Sequence, residues 1–150
     1  MMDETAYKSV RGEINRLPCV FEKALLARHA VCGLAANRAI GEREVIACTS
    51  PLARAECGQL SGLLREKSAF ALKTAPNTAN TPRILTHAAV MKIQCGGLQG
   101  LQGLLDPEAP APDVRRLVLL GRERFGDLGA LPFPEIIKGV AAFRLRGKRP

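Results

Sequence analysis

Residues 84–105 read ILTHAAVMKIQCGGLQGLQGLL and carry the longest apolar stripe in the chain. Apolar side chains recur there at steps of three and four residues, which is the spacing that places them on one face of a helix. The stretch therefore predicts a long helix with one buried face. The members of the stripe are Ile84, Ala88, Met91, Cys95, Leu98, Leu101 and Leu105.

Four glycines interrupt this predicted helix, partly within a Gly-Leu-Gln repeat. Glycine is costly inside a helix, by about 1 kcal/mol relative to alanine, so its repeated use needs a reason. A small residue allows another helix, or a bound group, to come close to the backbone. We expect close helix packing here. The glycines are Gly96, Gly97, Gly100 and Gly103.

Further helices are expected on both sides of this stretch. Pro18 opens a stripe that recurs at helical spacing, and Ser50 and Asp113 are candidate N-caps. A proline-rich linker, residues 106–113, follows the long helix. The other predicted helices cover residues 18–39, 51–73, 114–124 and 135–143.

These elements predict an all-α fold, a bundle of four or five helices with a short irregular or hairpin N-terminal arm. The length of 150 residues suits one domain. We expect a single helical domain over residues 1–143 and a basic C-terminal tail over residues 144–150. The net charge is +8, and four of the positive charges lie in that tail.

The N-terminus has no basic start followed by an apolar run, which is the pattern of a secretory signal. No stretch approaches the roughly 18 apolar residues that span a bilayer. We therefore expect a cytoplasmic protein without a membrane span. Thiols stay reduced in that compartment, which favours metal ligands, nucleophiles or core packing over disulfides.

Five cysteines, at positions 19, 32, 48, 57 and 95, are the unusual feature of the composition. Their spacing contains no C-x-x-C pair, which excludes the compact patterns of zinc ribbons, thioredoxin-like sites and bacterial ferredoxins. A distributed site remains, in which separate helices or helix ends each supply one thiolate.

The five cysteines differ in where they lie on the predicted helices. Cys19 and Cys48 lie near predicted helix N-termini, where the helix dipole lowers the pKa of a thiol. Cys57 lies two turns into the next helix, and Cys95 precedes two glycines. On a continuous helix Cys32 points away from Cys19, so Cys32 is assigned to core packing. The predicted metal and cofactor-binding residues are Cys19, Cys48, Cys57 and Cys95.

An iron–sulfur cluster, of the [4Fe–4S] type, suits such spread ligands better than a single ion does, and zinc is the alternative. The predicted role is electron transfer, redox sensing or support of a larger redox enzyme. No residue pattern identifies a catalytic site, so we expect a binding protein rather than an enzyme. Cys32 or a histidine, His29 or His87, remains open as a substitute ligand.

The alternative function is a basic helical adaptor that binds a protein or nucleic-acid partner through its C-terminal third. Four arginines mark one predicted helix in that third, and they are Arg115, Arg116, Arg122 and Arg124. In that case the cysteines serve as core packing or as a structural zinc site. The oligomeric state is not defined by the sequence.

Overall fold

The computed structural model describes residues 17–69, 71–72 and 85–144, and helices make up about 58% of it. Five α-helices and a two-stranded antiparallel sheet follow one another along the chain. In order they are α1 (Glu22–Leu26), β1 (Ala35–Ile40), β2 (Arg43–Cys48), α2 (Pro51–Ser68), α3 (His87–Met91, the π-helical turn Lys92–Gly96, and Gly97–Leu105), α4 (Val114–Phe125) and α5 (Phe133–Ala142).

The predicted all-α bundle is wrong, because residues 35–48 form a β-hairpin and the fold is mixed α/β. The two strands pair from Ala35 with Cys48 to Ile40 with Arg43. A two-residue turn joins them, and its Gly41 has a φ of +61°, a conformation that glycine adopts without steric cost. The hairpin buries part of one strand, since the middle residues of β2 are inaccessible.

The helix predicted over residues 18–39 shortens to the five residues of α1. Its end is marked by Arg28, whose φ of 64° is uncommon for a residue with a side chain. The His29 amide donates to the Ala24 carbonyl at 3.0 Å, which closes the last turn. The chain therefore turns back at Arg28 instead of continuing as a helix.

The cap predictions for α2 and α4 are confirmed. Ser50 Oγ accepts a hydrogen bond from the Ala53 amide at 3.2 Å. Asp113 accepts one from the Arg116 amide at 3.3 Å. Each cap satisfies an amide that the first turn of a helix leaves without an internal partner.

The main core lies between α2, α3, α4 and α5. The backbones of α3 and α5 meet at three glycines, Gly96, Gly100 and Gly139, which we call the glycine seam. A Cβ added at Gly96 would lie 2.6 Å from the Gly139 carbonyl oxygen. The expectation of close helix packing at the glycines is thus met at the seam, whereas Gly103 has open space beside it.

Two predicted segments lie outside the described residues. They are the N-terminal arm, which covers residues 5–16, and all but the first residue of the basic tail. Within the described ranges, no helix combines the length and apolar character that crossing a bilayer requires.

Candidate functional site

Four of the five cysteines line one cavity, which we call the cysteine cavity. Its enclosed volume is about 20 Å³, and a wider space of about 360 Å³ around it includes open solvent. Each of the four side chains is partly exposed. The functional groups in the wall are Cys19, Cys32, Cys48, Cys57, Arg54 and Arg115, and the remaining wall is apolar.

Cys19 and Cys48 are brought together by backbone pairing. The segment that contains Cys19 runs alongside β2, where the Cys19 amide donates to the Ile46 carbonyl at 2.9 Å. In return, the Cys48 amide donates to the Leu17 carbonyl at 2.7 Å. This pairing fixes the two cysteines on neighbouring strands of backbone, at one edge of the cavity.

Cys32 reaches the same place through the hairpin. It lies just before β1, and the Ala35 amide donates to the Cys32 carbonyl at 3.2 Å. Because Ala35 pairs with Cys48, the start of β1 and the end of β2 lie side by side. The neighbouring Val31 also exchanges backbone hydrogen bonds with residues 112 and 114, which brings the start of α4 to the cavity.

Cys57 lies in the second turn of α2, behind the Ser50 cap. Cys48 and Ser50 interact twice at this cap, since the Cys48 thiol donates to the Ser50 carbonyl at 3.2 Å and the Ser50 amide donates to the Cys48 sulfur at 3.5 Å. Hydrogen bonds from amides to sulfur are among the features that tune thiolate ligands. The strand end, the cap and the helix thus form one continuous support for two of the four sulfurs.

Two side chains hold the Cys19 segment in place. Arg54 Nε donates to the Pro18 carbonyl at 2.8 Å. Gln94, buried on the π-helical turn of α3, accepts from the Ala24 amide at 3.1 Å and donates to the Val20 carbonyl at 3.2 Å. A π-helical turn is often found at functional sites, and here it carries the residue that links the core to α1.

Of the predicted ligand set, the structure brings Cys19, Cys48 and Cys57 together but not Cys95. Cys95 is fully inaccessible in the core between the helices and does not line the cysteine cavity. The backbone beside it meets α5 at the glycine seam, which leaves no room for a bound group.

Cys32, assigned to packing by the sequence, lies instead at the cavity with the other three. The assignment depended on a continuous helix through Cys19 and Cys32, and the turn at Arg28 removes that helix. Arg54 and Arg115 were not expected at the cysteines either. The signal that could have found Cys32 is the two-residue turn with Gly41, followed by the β-branched pair Val45 and Ile46.

Burial keeps two of the cavity thiols, Cys57 and Cys19, neutral. The pKa of Cys57 is raised to about 12, mostly by burial and in smaller part by the nearby Cys32, Cys19 and Cys48, while Arg115 lowers it. Burial also raises the pKa of Cys19 to about 11, so the expectation that a helix N-terminus lowers it is wrong. These interactions show that the four thiols lie within electrostatic reach of one another.

Neighbouring buried thiols can lose their protons together when a metal cation binds in place of those protons. The metal offsets both the cost of burying the thiolates and the repulsion between them. Among the described residues, His, Cys, Asp and Glu form no group of three or more with the arrangement that holds a single metal ion.

An acidic residue next to Cys57 organises the positive charge at the cavity. Glu56 has a side chain only 9% exposed, and its Oε1 lies 2.6 Å from Arg115 Nη1. Its other oxygen pairs with Arg122. A carboxylate this buried is stable when it is paired and hydrogen-bonded, as it is here.

The basic stripe of α4 is mostly used within the molecule. Arg115 and Arg122 pair with Glu56, Arg116 pairs with Asp106 at 2.9 Å, and Arg124 donates to the carbonyls of residues 104 and 105. These contacts offset part of the positive charge that would attract a phosphate backbone. The alternative function as a nucleic-acid adaptor gains no support from this helix.

Neither histidine lies in the wall of the cysteine cavity. The ring of His29 packs edge-on against Phe143 with 5.2 Å between ring centres. His87 lies at the start of α3, with its Nδ1 3.0 Å from Lys23 Nζ. Both side chains have contacts remote from the four thiols, so neither is a natural substitute for a cysteine ligand.

Comparison with known proteins adds no relative to this description. No family model, curated protein or solved structure matches the chain. The functional interpretation therefore depends on the geometry of the cysteine cavity.

Proposed function

We propose that the protein holds an iron–sulfur cluster, of the [4Fe–4S] type, with Cys19, Cys32, Cys48 and Cys57 as its ligands. The observation that carries the proposal is the convergence of four thiols, from segments far apart in sequence, on one cavity. Cys32 takes the place that the sequence analysis gave to Cys95. The role that follows is electron transfer, redox sensing or support of a larger redox enzyme.

Packing alone is a weaker explanation of the four cysteines. A cysteine that serves as a small apolar side chain is normally buried in contact with other apolar atoms, as Cys95 is. The four cavity cysteines are instead partly exposed, and although three of them also touch the core, all four share a wall with two arginines. Such a wall suits an anionic group with soft, cationic centres, which thiolates bind strongly.

A cluster is favoured over zinc because its ligands can come from widely separated segments of the chain, as the four cavity cysteines do. An iron–sulfur cluster spreads its four iron atoms over a wider body than one ion, so each thiolate binds a different iron. A structural zinc site instead draws four ligands to one centre at about 2.3 Å. The amide hydrogen bond to Cys48 and the apolar wall are features that set the potential of such a cluster.

Anaerobic purification of the full chain from iron-supplied cells tests this proposal. We expect iron and acid-labile sulfide in comparable amounts, with broad visible absorbance that weakens on addition of dithionite. Zinc without sulfide would support the four-thiolate site and overturn the cluster. A protein free of iron and zinc, with five titratable thiols, would overturn both.

A further inference from the structure

Arg115 is placed between the cysteine cavity and a buried carboxylate. It lines the cavity together with the four cysteines, and its Nη1 lies 2.6 Å from Glu56 Oε1. Its side chain is 22% exposed, so most of it is withdrawn from solvent. A charge in such a position is screened less by salt than one on the surface.

The sign of the charge determines its effect on a cluster. A cluster bound by four thiolates is anionic, and reduction adds one electron without transfer of an atom or a proton. A nearby cation therefore stabilises the reduced form more than the oxidised form, and raises the reduction potential. Arg115 shares the cavity wall with Cys57, so its positive charge lies next to a proposed ligand.

Glu56 has two opposing effects on this charge. It fixes the guanidinium of Arg115 against the wall, and its own negative charge offsets part of the positive field. It is shared with Arg122, whose side chain is 52% exposed. The three residues together carry one net positive charge next to Cys57.

On the basis of the cluster proposed above, we infer that Arg115, held by Glu56, sets the reduction potential by compensating the extra negative charge of the reduced cluster. Arg115 acts through its charge and not as a ligand. Removal of Arg115 is expected to lower the potential, and neutralisation of Glu56 is expected to raise it. Loss of structure alone would not shift the potential in opposite directions.

Potentiometric titration of the anaerobically purified full chain, with dithionite as the electron donor, tests this inference. At a fixed applied potential we expect Arg115→Gln to reduce the ratio of reduced to oxidised cluster by roughly threefold to tenfold. Arg115→Lys should fall between the wild type and Arg115→Gln. Glu56→Gln should increase the ratio.

Arg116→Gln is the matched control, because it removes the same charge from the next residue. Arg116 pairs with Asp106 and is 59% exposed. It does not line the cysteine cavity, so its substitution should leave the ratio within about twofold of the wild-type value.

Two results would overturn the role of Arg115 while leaving the cluster proposal intact. One is a loaded Arg115→Gln protein with the potential of Arg116→Gln. If Arg115→Gln does not retain a cluster, the deciding variants are Arg115→Lys and Glu56→Gln. An unchanged reduction potential in both of them is the second result. A wild-type chain without iron and sulfide would instead overturn the proposed function itself.

Discussion

The glycine seam and the cysteine cavity are both places where separate parts of the chain meet, but they are built in opposite ways. At the seam, the backbones of α3 and α5 approach until a methyl group would overlap with a carbonyl. At the cavity, four partly exposed cysteine side chains converge from separate segments of the chain. Backbone contact closes the first region, whereas the second remains partly open to solvent.

This difference separates Cys95 from the other cysteines. Cys95 lies beside the seam, is fully buried and behaves as a small apolar residue. The four cavity cysteines are partly exposed and share one wall with Arg115. We therefore expect substitutions at the seam to change the stability of the fold, and substitutions at the cavity to change binding of the proposed cluster.

The largest expected effect on stability is at the seam. Gly100→Ala would press a methyl group against the Ile136 backbone, 3.1 Å from its Cα, where neither helix can move freely. We expect a loss of about 1–3 kcal/mol in the free energy of unfolding, as overpacked cores show. Urea denaturation measures this value.

Gly103→Ala is the matched control for the seam, because Gly103 lies in the same helix with open space beside it. The substitution should stabilise the protein by roughly 0.5–1 kcal/mol, since alanine is the better helix former. Equal effects of the two substitutions would show that the seam is not a tight contact.

The next effect concerns Gln94, which connects the two regions. Gln94→Leu leaves the buried Ala24 amide without its acceptor, and we expect a cost of about 1–3 kcal/mol. Gln59→Leu, at an exposed site with one long contact, should change stability by less than about 0.5 kcal/mol. Thermal unfolding compares them, and similar melting temperatures would contradict a linking role for Gln94.

The last expected effect is confined to alkaline pH, where the stability of the metal-free protein should depend on pH. Folding raises the pKa of Cys57 from 9.0 to about 12 and that of Cys19 to about 11. Above pH 9 the unfolded chain loses these protons before the folded chain does, so stability should fall as the pH rises from 9 towards 12.

Denaturation at a series of pH values between 8 and 11 measures this decline. Cys57→Ala removes one of the groups, and we expect its stability to fall less steeply than that of the wild type. A flat profile in the wild type would show that the thiols are not held neutral by the fold.

The helices were predictable from the sequence where local chemistry decides them. Ser50 and Asp113 each supply an oxygen to the first turn of a helix, and this interaction depends on residues three positions apart. The apolar stripe of residues 84–105 likewise defines α3 without reference to the rest of the chain. Local signals of this kind fix a helix before its packing partners are known.

The hairpin was not predictable from spacing alone. Ala35, Ala36 and Ala39 continue a helical stripe in the sequence, and alanine is the best helix former. Pairing with β2 overrides that local preference, because it buries the β-branched side chains of Val45 and Ile46. Strand propensity depends on such partners, which lie outside the local sequence.

The candidate site was likewise predictable only where its residues depend on local sequence. Cys48 and Cys57 could be selected because the Ser50 cap is a local feature, whereas Cys19 was selected for a helix start that the structure places at Glu22. Cys32 reaches the cavity through the backbone turn at Arg28 and the hairpin, which are both tertiary features. Cys95 was included for the glycines after it, and these glycines serve the seam.

The most direct test of the account compares Cys32→Ala with Cys95→Ala after anaerobic purification. Both variants lose one sulfur, and far-UV circular dichroism establishes that each is folded. Iron and acid-labile sulfide are then measured per chain. We predict that Cys32→Ala loses most of its iron and sulfide, whereas Cys95→Ala keeps the wild-type amounts. Retention by Cys32→Ala together with loss by Cys95→Ala would contradict the assignment of the four ligands.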